Sequence, residues 1–242
     1  MESPTLNSQA VDSEALSMAS IDAVSHCIRT LNSVRRFRRA DVSPELIDYV
    51  LRHAIQAGSG KNRQPWRFIV VRDPCIKEQL TRWYQRGWYH HEARLNSPEV
   101  RNERIPDEER QISSGATLAA NFDEVPVIII ACFLPASRNP ADFFGGASIY
   151  PAVQNLLLAA RSVGLGATLT TLQAFDIPTV ESLPSASLTL YEELKQILGI
   201  PDGVVPGALI PLGWPAVSFA VGRRRPVREV TYRERWGEPW TV

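Results

Sequence analysis

The chain has 242 residues, enough to build one well-cored domain, and its 26 Lys plus Arg balance 26 Asp plus Glu for a formal net charge of zero. Balanced charge provides no overall field toward nucleic acid or an anionic membrane, so a charged ligand has to be met by a local cluster. Three widely spaced cysteines, Cys27, Cys75 and Cys132, have no CxxC pair and no nearby histidine. They support neither a disulfide framework nor a zinc site and read as reduced thiols in a cytoplasmic protein.

Residues 1–20 carry acids and hydroxyls where a signal peptide needs a basic start and an apolar stretch, and read as a flexible tail before a single domain over 21–242. Ile21–Leu31 has helical spacing. "DVSPELIDYVLRHAIQAG" predicts a second helix, with Ser43 as N-cap, Pro44 at the first position, an apolar stripe from Leu46 to Ile55, and Gly58 as the stop. A loop, "SGKNRQP", leads into a strand over 66–72, and a helix follows from Cys75 to Trp88. The polar, weakly periodic segment 89–124 predicts a helical excursion over the core.

"VPVIIIACFL", 125–134, is apolar without alternation, the mark of a strand buried on both faces. Ile149, Val153, Leu156, Leu157 and Ala160 then repeat at helical spacing as far as "GLG", 164–166, after which "ATLTTL" is strand-like. A short helix near 190–198, a strand in "GALIPLGW", 207–214, and an extended basic tail, "GRRRPVREV", complete the order. The uncharged stretches Phe143–Ala160 and Val204–Gly222 contain prolines and amides, so buried globular elements account for them better than membrane spans. About four core strands among five or more helices predict an α+β sandwich around a mixed sheet.

Arginines cluster in "SVRRFRR", 33–39, and "RRRP", 223–226. Each run alone is a solvated basic face; brought together, their planar forks would hold one phosphate through charge-assisted bonds. No helix-turn-helix, RNP or zinc-finger pattern accompanies them, which disfavours nucleic acid. "GLGATL" lacks the third glycine of GxGxxG and runs from helix to strand, the reverse of a dinucleotide fold. "AGSGKN" lacks the GxxxxGK[ST] spacing of a P-loop. His26, His53, His90 and His91 have no metal-ligand spacing, and no nucleophile elbow is present. Side-chain catalysis therefore has little support, which directs attention to a bound cofactor that brings its own reactivity.

Taken together, "SVRRF" at 33–37, "AGSGKNRQPWRFIVV" at 57–71, "QNLLLAARSVGLGATLTTL" at 154–172 and "LGIPDGVVPGALIPLGWP" with "RRPVREV" and "RWG" at 198–237 resemble the FMN-dependent nitroreductase family, in the family's order. The resemblance implies an α/β/α sandwich with a mainly antiparallel central sheet, and an obligate homodimer with FMN at its interface. NAD(P)H would be the co-substrate and an electron-poor small molecule the acceptor; no metal, nucleic acid or membrane is implied. Ser33 and Arg35, with Arg223 and Arg225 from the tail, match positions that hold the phosphate and ribityl chain. Ser59, Gly60, Asn62 and Gln64 match a loop that lies along the flavin of the partner subunit. Leu169, Thr170 and Thr171 match the stretch whose backbone amides approach the pyrimidine edge and N5, where donors stabilise the anionic reduced flavin. Trp88, Tyr89, His90 and His91, in the excursion, would cap the pocket and select the acceptor.

Two departures accompany the match. Leu31-Asn32 stand where relatives carry another arginine, leaving Arg29 or Arg36 to substitute, and Gly58 stands where relatives carry proline. The implied activity is hydride transfer from NAD(P)H through flavin N5 to a nitroaromatic, quinone or activated alkene. Relatives that destroy flavin, dehalogenate or oxidise azolines keep other flavin chemistry open, as does a flavin-binding protein without turnover.

Overall fold

A computed structural model describes residues 17–97, 106–136, 143–176 and 189–240. Helix α1 spans Met18–Thr30, α2 Pro44–Ala54, α3 Pro74–Leu95, α4 Pro106–Ala120, α5 Phe143–Ser162 and α6 Leu190–Leu198. The strands are β1 Trp66–Val71, β2 Val127–Phe133, β3 Gly166–Ala167 and β4 Val205–Gly213. The sheet order is β1-β2-β4-β3, every pair of strands antiparallel; the parallel component is an isolated bridge between Ser33 and Ala167.

The continuous apolar run of β2 places it at the centre, with all seven residues buried. Its pleat sends alternate side chains to opposite faces. Val127, Ile129, Ala131 and Phe133 join a core with Ile47 and Val50 of α2 and Ile149, Val153 and Leu156 of α5. Ile128, Ile130 and Cys132 join a second core with Leu80, Trp83 and Tyr84 of α3, Leu118 of α4 and Leu190 and Leu194 of α6. Two cores on one sheet produce the expected α/β/α sandwich. The register shifts between Ala131 and Cys132, opposite Pro206, where β4 has no N–H to give.

Local chemistry sets the helix ends. Ser17 accepts a 3.2 Å bond from the Ser20 amide, so α1 begins three residues before the expected Ile21. Ser43 caps α2 with Pro44 at its first position as expected, but the helix closes at Ala54 and leaves Gly58 outside. Helix α3 runs seven residues past the expected Trp88, so Tyr89, His90 and His91 continue it, and the excursion resolves into the end of α3, the helix α4 and a short 3-10 turn at Phe122–Glu124. Thr189 and Glu192 cap α6 reciprocally, and Gly199 ends it at φ 63°. The strand expected in "ATLTTL" is regular only over Gly166–Ala167, then follows β4 through a bond from the Thr168 amide to the Pro211 carbonyl and a reciprocal pair between Thr170 and Leu209. The two uncharged stretches fall mainly on α5 and β4, and among the described residues no helix is long and apolar enough to cross a membrane.

Candidate cofactor site

After α1 the chain passes the edge of β3. The Val34 amide donates to the Ala167 carbonyl at 3.0 Å, while Val34 and Phe37 are buried. Between them Arg36 is exposed, its carbonyl accepting from the Ala216 amide, and Arg35 is half-buried. The tail returns across the same edge. The Asn32 side-chain amide donates to the Ala220 carbonyl, and the Arg161 guanidinium of α5 lies 4.1 Å over the Phe219 ring. Arg161 also donates to the Thr30 hydroxyl at 3.0 Å and lies 3.0 Å from the His26 imidazole. One arginine thereby holds α1 and the tail against α5.

These segments enclose a cavity of about 810 Å³. Ser33, Arg35, Leu169 and Arg223, four of the residues expected from sequence, line it, together with Asn32 and Arg224. Three arginines thus line one cavity in a chain of zero net charge. Arg36 and Arg225 are exposed and outside the lining, as is Arg29 on α1; Arg224 supplies the additional cation instead. Leu157 and Leu169 provide apolar wall, and Gln154 and Ser114 polar wall.

Arg35 donates to the Ser114 hydroxyl of α4 at 3.1 Å. Burial lowers its pKa from the usual guanidinium value, with Tyr84 acting in the opposite direction. Burial likewise raises the Tyr84 phenol, which lies 3.2 Å from the Thr170 hydroxyl and stacks on Phe122 with ring centroids 4.2 Å apart. Thr170 therefore faces Tyr84 through its side chain and β4 through its amide. Strand alternation turns the Leu169 and Thr171 amides the other way, and among the described residues neither has an acceptor.

The loop Ser59–Gln64 lies away from this cavity, beside a smaller one of about 360 Å³ lined by Gly60, Lys61 and Pro65 with Leu134 and Ser148. Lys61, Asn62 and Gln64 all adopt positive φ, of 54°, 51° and 49°. Such conformations cost non-glycine residues roughly 1–2 kcal/mol each. The loop is held by the Ser59 hydroxyl, which accepts from the Gln64 amide at 3.0 Å, and by the Gln64 side chain, which donates to Asn62 at 3.0 Å. Its glycines are not the strained residues: Gly58 and Gly60 have no positive φ and nothing within 4 Å of an added Cβ.

Of the residues expected to select an acceptor, Trp88 packs between α3 and α4, where a Cβ at Gly115 would meet its ring at 2.1 Å. His91 meets the Trp88 ring edge with centroids 5.6 Å apart, and burial and then Arg94 lower its pKa. Tyr89 and His90 are exposed, and none of the four lines the large cavity. Sequence reasoning missed Asn32, Ser114, Gln154, Thr168 and Arg224. The run "RRRP" contained the signal for Arg224, but it does not say which of its arginines line the cavity.

The description of the Nitroreductase family matches residues 28–214. The chain belongs to the Nitroreductase family. Within it, the chain is 30% identical over 177 residues to an iodotyrosine deiodinase of Thermotoga neapolitana, covering 72% of this chain and 86% of the relative. It is 27% identical over 212 residues to an NADH dehydrogenase of Thermus thermophilus, covering 82% and 89%. A solved nitroreductase with bound FMN from Desulfitobacterium hafniense shares the fold at TM-score 0.61 and 22% identity, covering 88% of this chain and 98% of that one. This nitroreductase-family chain thus combines its family's α+β fold with an arginine-lined cavity at the sheet edge.

FMN needs a cation cluster for its phosphate, hydrogen-bonding partners for its polyol and ring edge, and apolar wall for the ring. The cavity residues fit those demands. Arg35, Arg223 and Arg224 supply charge, Asn32, Ser33 and Gln154 supply hydrogen-bonding groups, and Leu157 and Leu169 supply wall. A volume of about 810 Å³ also lies within the range of small-molecule sites.

Proposed function

We propose that this protein is an FMN-dependent oxidoreductase that works as a homodimer. The gathering of Arg35, Arg223 and Arg224 around one cavity, out of two clusters almost two hundred residues apart, carries the reading. When bound, FMN would supply the redox chemistry, taking hydride from NAD(P)H at N5 and passing it to an electron-poor nitroaromatic, quinone or activated alkene.

The chain's own residues would bind and orient. The three arginines and Ser33 would hold the phosphate end, and Arg35 would tie that end to α4 through Ser114. The amides of Leu169 and Thr171 would donate to the pyrimidine edge and N5, favouring added negative charge on the ring. In this reading Ser59, Gly60, Asn62 and Gln64 serve the partner's cofactor, which accords with a strained loop standing apart from the protomer's own cavity. A second copy is further supported by apolar side chains left uncovered on α1, where Met18, Ile21, Val24 and Ile28 are exposed at helical spacing, and by Trp236 of the tail at 88% exposure. Trp88 and His91, packed where α3 meets α4, would position the helices over the acceptor side.

The test is direct. Purified protein should bind FMN, elute as a dimer, and lose its yellow colour when NADH or NADPH is added without oxygen. A colourless protein that ignores added FMN would sink the proposal. The 30% identity to an iodotyrosine deiodinase favours a second reading in which the acceptor is an aryl halide. Comparing an iodophenol with a nitroaromatic, and measuring released iodide, separates the two.

A further inference from the structure

The smaller cavity beside the loop Ser59–Gln64 differs in chemistry from the large one. Its volume of about 360 Å³ has room for one substituted ring but not for a dinucleotide. Pro65, Leu134, Ala136 and Gly145 form an apolar wall, and Lys61 and Arg63 add two positive charges with no acid in the lining. The ion pairs of the described residues use Arg39, Arg52, Arg72, Arg82, Arg86 and Lys195, so Lys61 and Arg63 both stand without a partner among them. The side chains of Asn62 and Gln64 bond each other, so the loop alternates between paired amides and unpaired cations. A bond of 2.9 Å from the Leu134 amide to the Pro65 carbonyl joins the loop's exit to the end of β2 and fixes this wall. None of Trp88, Tyr89, His90 and His91 lines the cavity.

We propose that this cavity is the acceptor pocket, and that Lys61 and Arg63 select an acceptor made of a single electron-poor ring bearing a carboxylate or another anionic group. The apolar wall takes up the ring by removing its faces from water, while two exposed cations favour an anion over a neutral substituent. Two like charges with no counter-charge repel each other until an anion enters between them. The inference rests on the flavin reading above and deepens it. Ser59, Gly60, Asn62 and Gln64 are read as lying along the partner's cofactor, so a cavity bordered by the same loop opens beside that ring. The cations alternate in sequence with those residues, which the family motif contains, and are this chain's own addition to the loop.

The test compares 4-nitrobenzoate with 4-nitrobenzamide, which match in shape and differ in charge, as acceptors with NADH or NADPH as donor. Lys61→Gln and Arg63→Gln should each lower kcat/KM for 4-nitrobenzoate about three- to tenfold more than for 4-nitrobenzamide, the difference appearing in KM. The double variant should lose more of the ratio than either single one, and added salt should shrink the ratio in the wild type. Equal losses for both acceptors, a KM rise for the nucleotide donor in place of one for 4-nitrobenzoate, or no change at all overturns the assignment while leaving the flavin reading intact. A wild type that binds no FMN overturns the flavin reading and the acceptor role with it. Calorimetric titration with benzoate and benzamide then decides the anion site alone: tighter benzoate binding that the double variant loses supports it, and equal binding of the two overturns it.

Discussion

Replacing the tail arginines one at a time tests the cation cluster, because Arg224 lines the cavity and its neighbour Arg225 does not. A charge-assisted bond to phosphate is worth roughly 1.5–3 kcal/mol. Arg224 is exposed and screened by water, which places it at the lower end. About 1.5 kcal/mol corresponds to roughly a tenfold rise in the FMN Kd for Arg224→Ala. Arg35 is half-buried, with burial lowering its pKa, so it meets the anion with less water between. Arg35→Ala should therefore cost about 2–3 kcal/mol, or roughly 30- to 150-fold, while Arg225→Ala and Arg36→Ala stay within about twofold. Fluorescence titration at fixed ionic strength measures all four, and riboflavin serves as the control because it lacks the phosphate. Riboflavin affinity should fall little in the same variants. An Arg225→Ala loss matching that of Arg224→Ala, or equal losses for riboflavin and FMN, would refute this placement of the phosphate.

Two further outcomes follow from local structure. Gly58 has open space around a would-be Cβ and no positive φ, so Gly58→Ala should stabilise the fold by about 0.4–1 kcal/mol in urea unfolding; a loss of stability would show that the loop uses glycine's freedom. Burial pushes the Cys132 thiol up to about 12. Above the ordinary thiol pKa of 9.0 the unfolded chain releases this proton and the folded one keeps it, so the folded state binds more protons and stability declines as pH rises from about 9 toward 12. Cys132→Ala should remove this part of the decline from urea-derived stabilities measured across that range, and an identical pH profile would contradict it.

Much of this architecture was legible in the chain because its signals are local. The unbroken apolar run of β2 predicts burial on two faces, and the structure divides its side chains between two cores. Ser43-Pro44 announces the start of α2 because capping needs only neighbouring residues. Ends determined by packing were less legible. Helix α3 outran its expected end while its side chains still had α4 and α6 to pack against: a Cβ on Gly87 would meet Leu190 at 2.8 Å, and Trp88 lies against Gly115. The second half of "ATLTTL" lost regular strand form because its pairing depends on the distant β4, which carries Pro206 and Pro211.

By itself, then, the sequence determined the order of elements, the double-sided central strand, two separated arginine clusters and the motif resemblance that the family match bears out. All of these are carried by residue type and short spacing. Only the tertiary structure decided which members of each cluster meet. Arg35 and Arg36 are adjacent, as are Arg224 and Arg225, yet Arg35 and Arg224 line the cavity and Arg36 and Arg225 do not. That choice follows from pairing with distant partners: Val34 with Ala167, Arg36 with Ala216, and Asn32 with Ala220. No local signal in a run of arginines records those distant pairings.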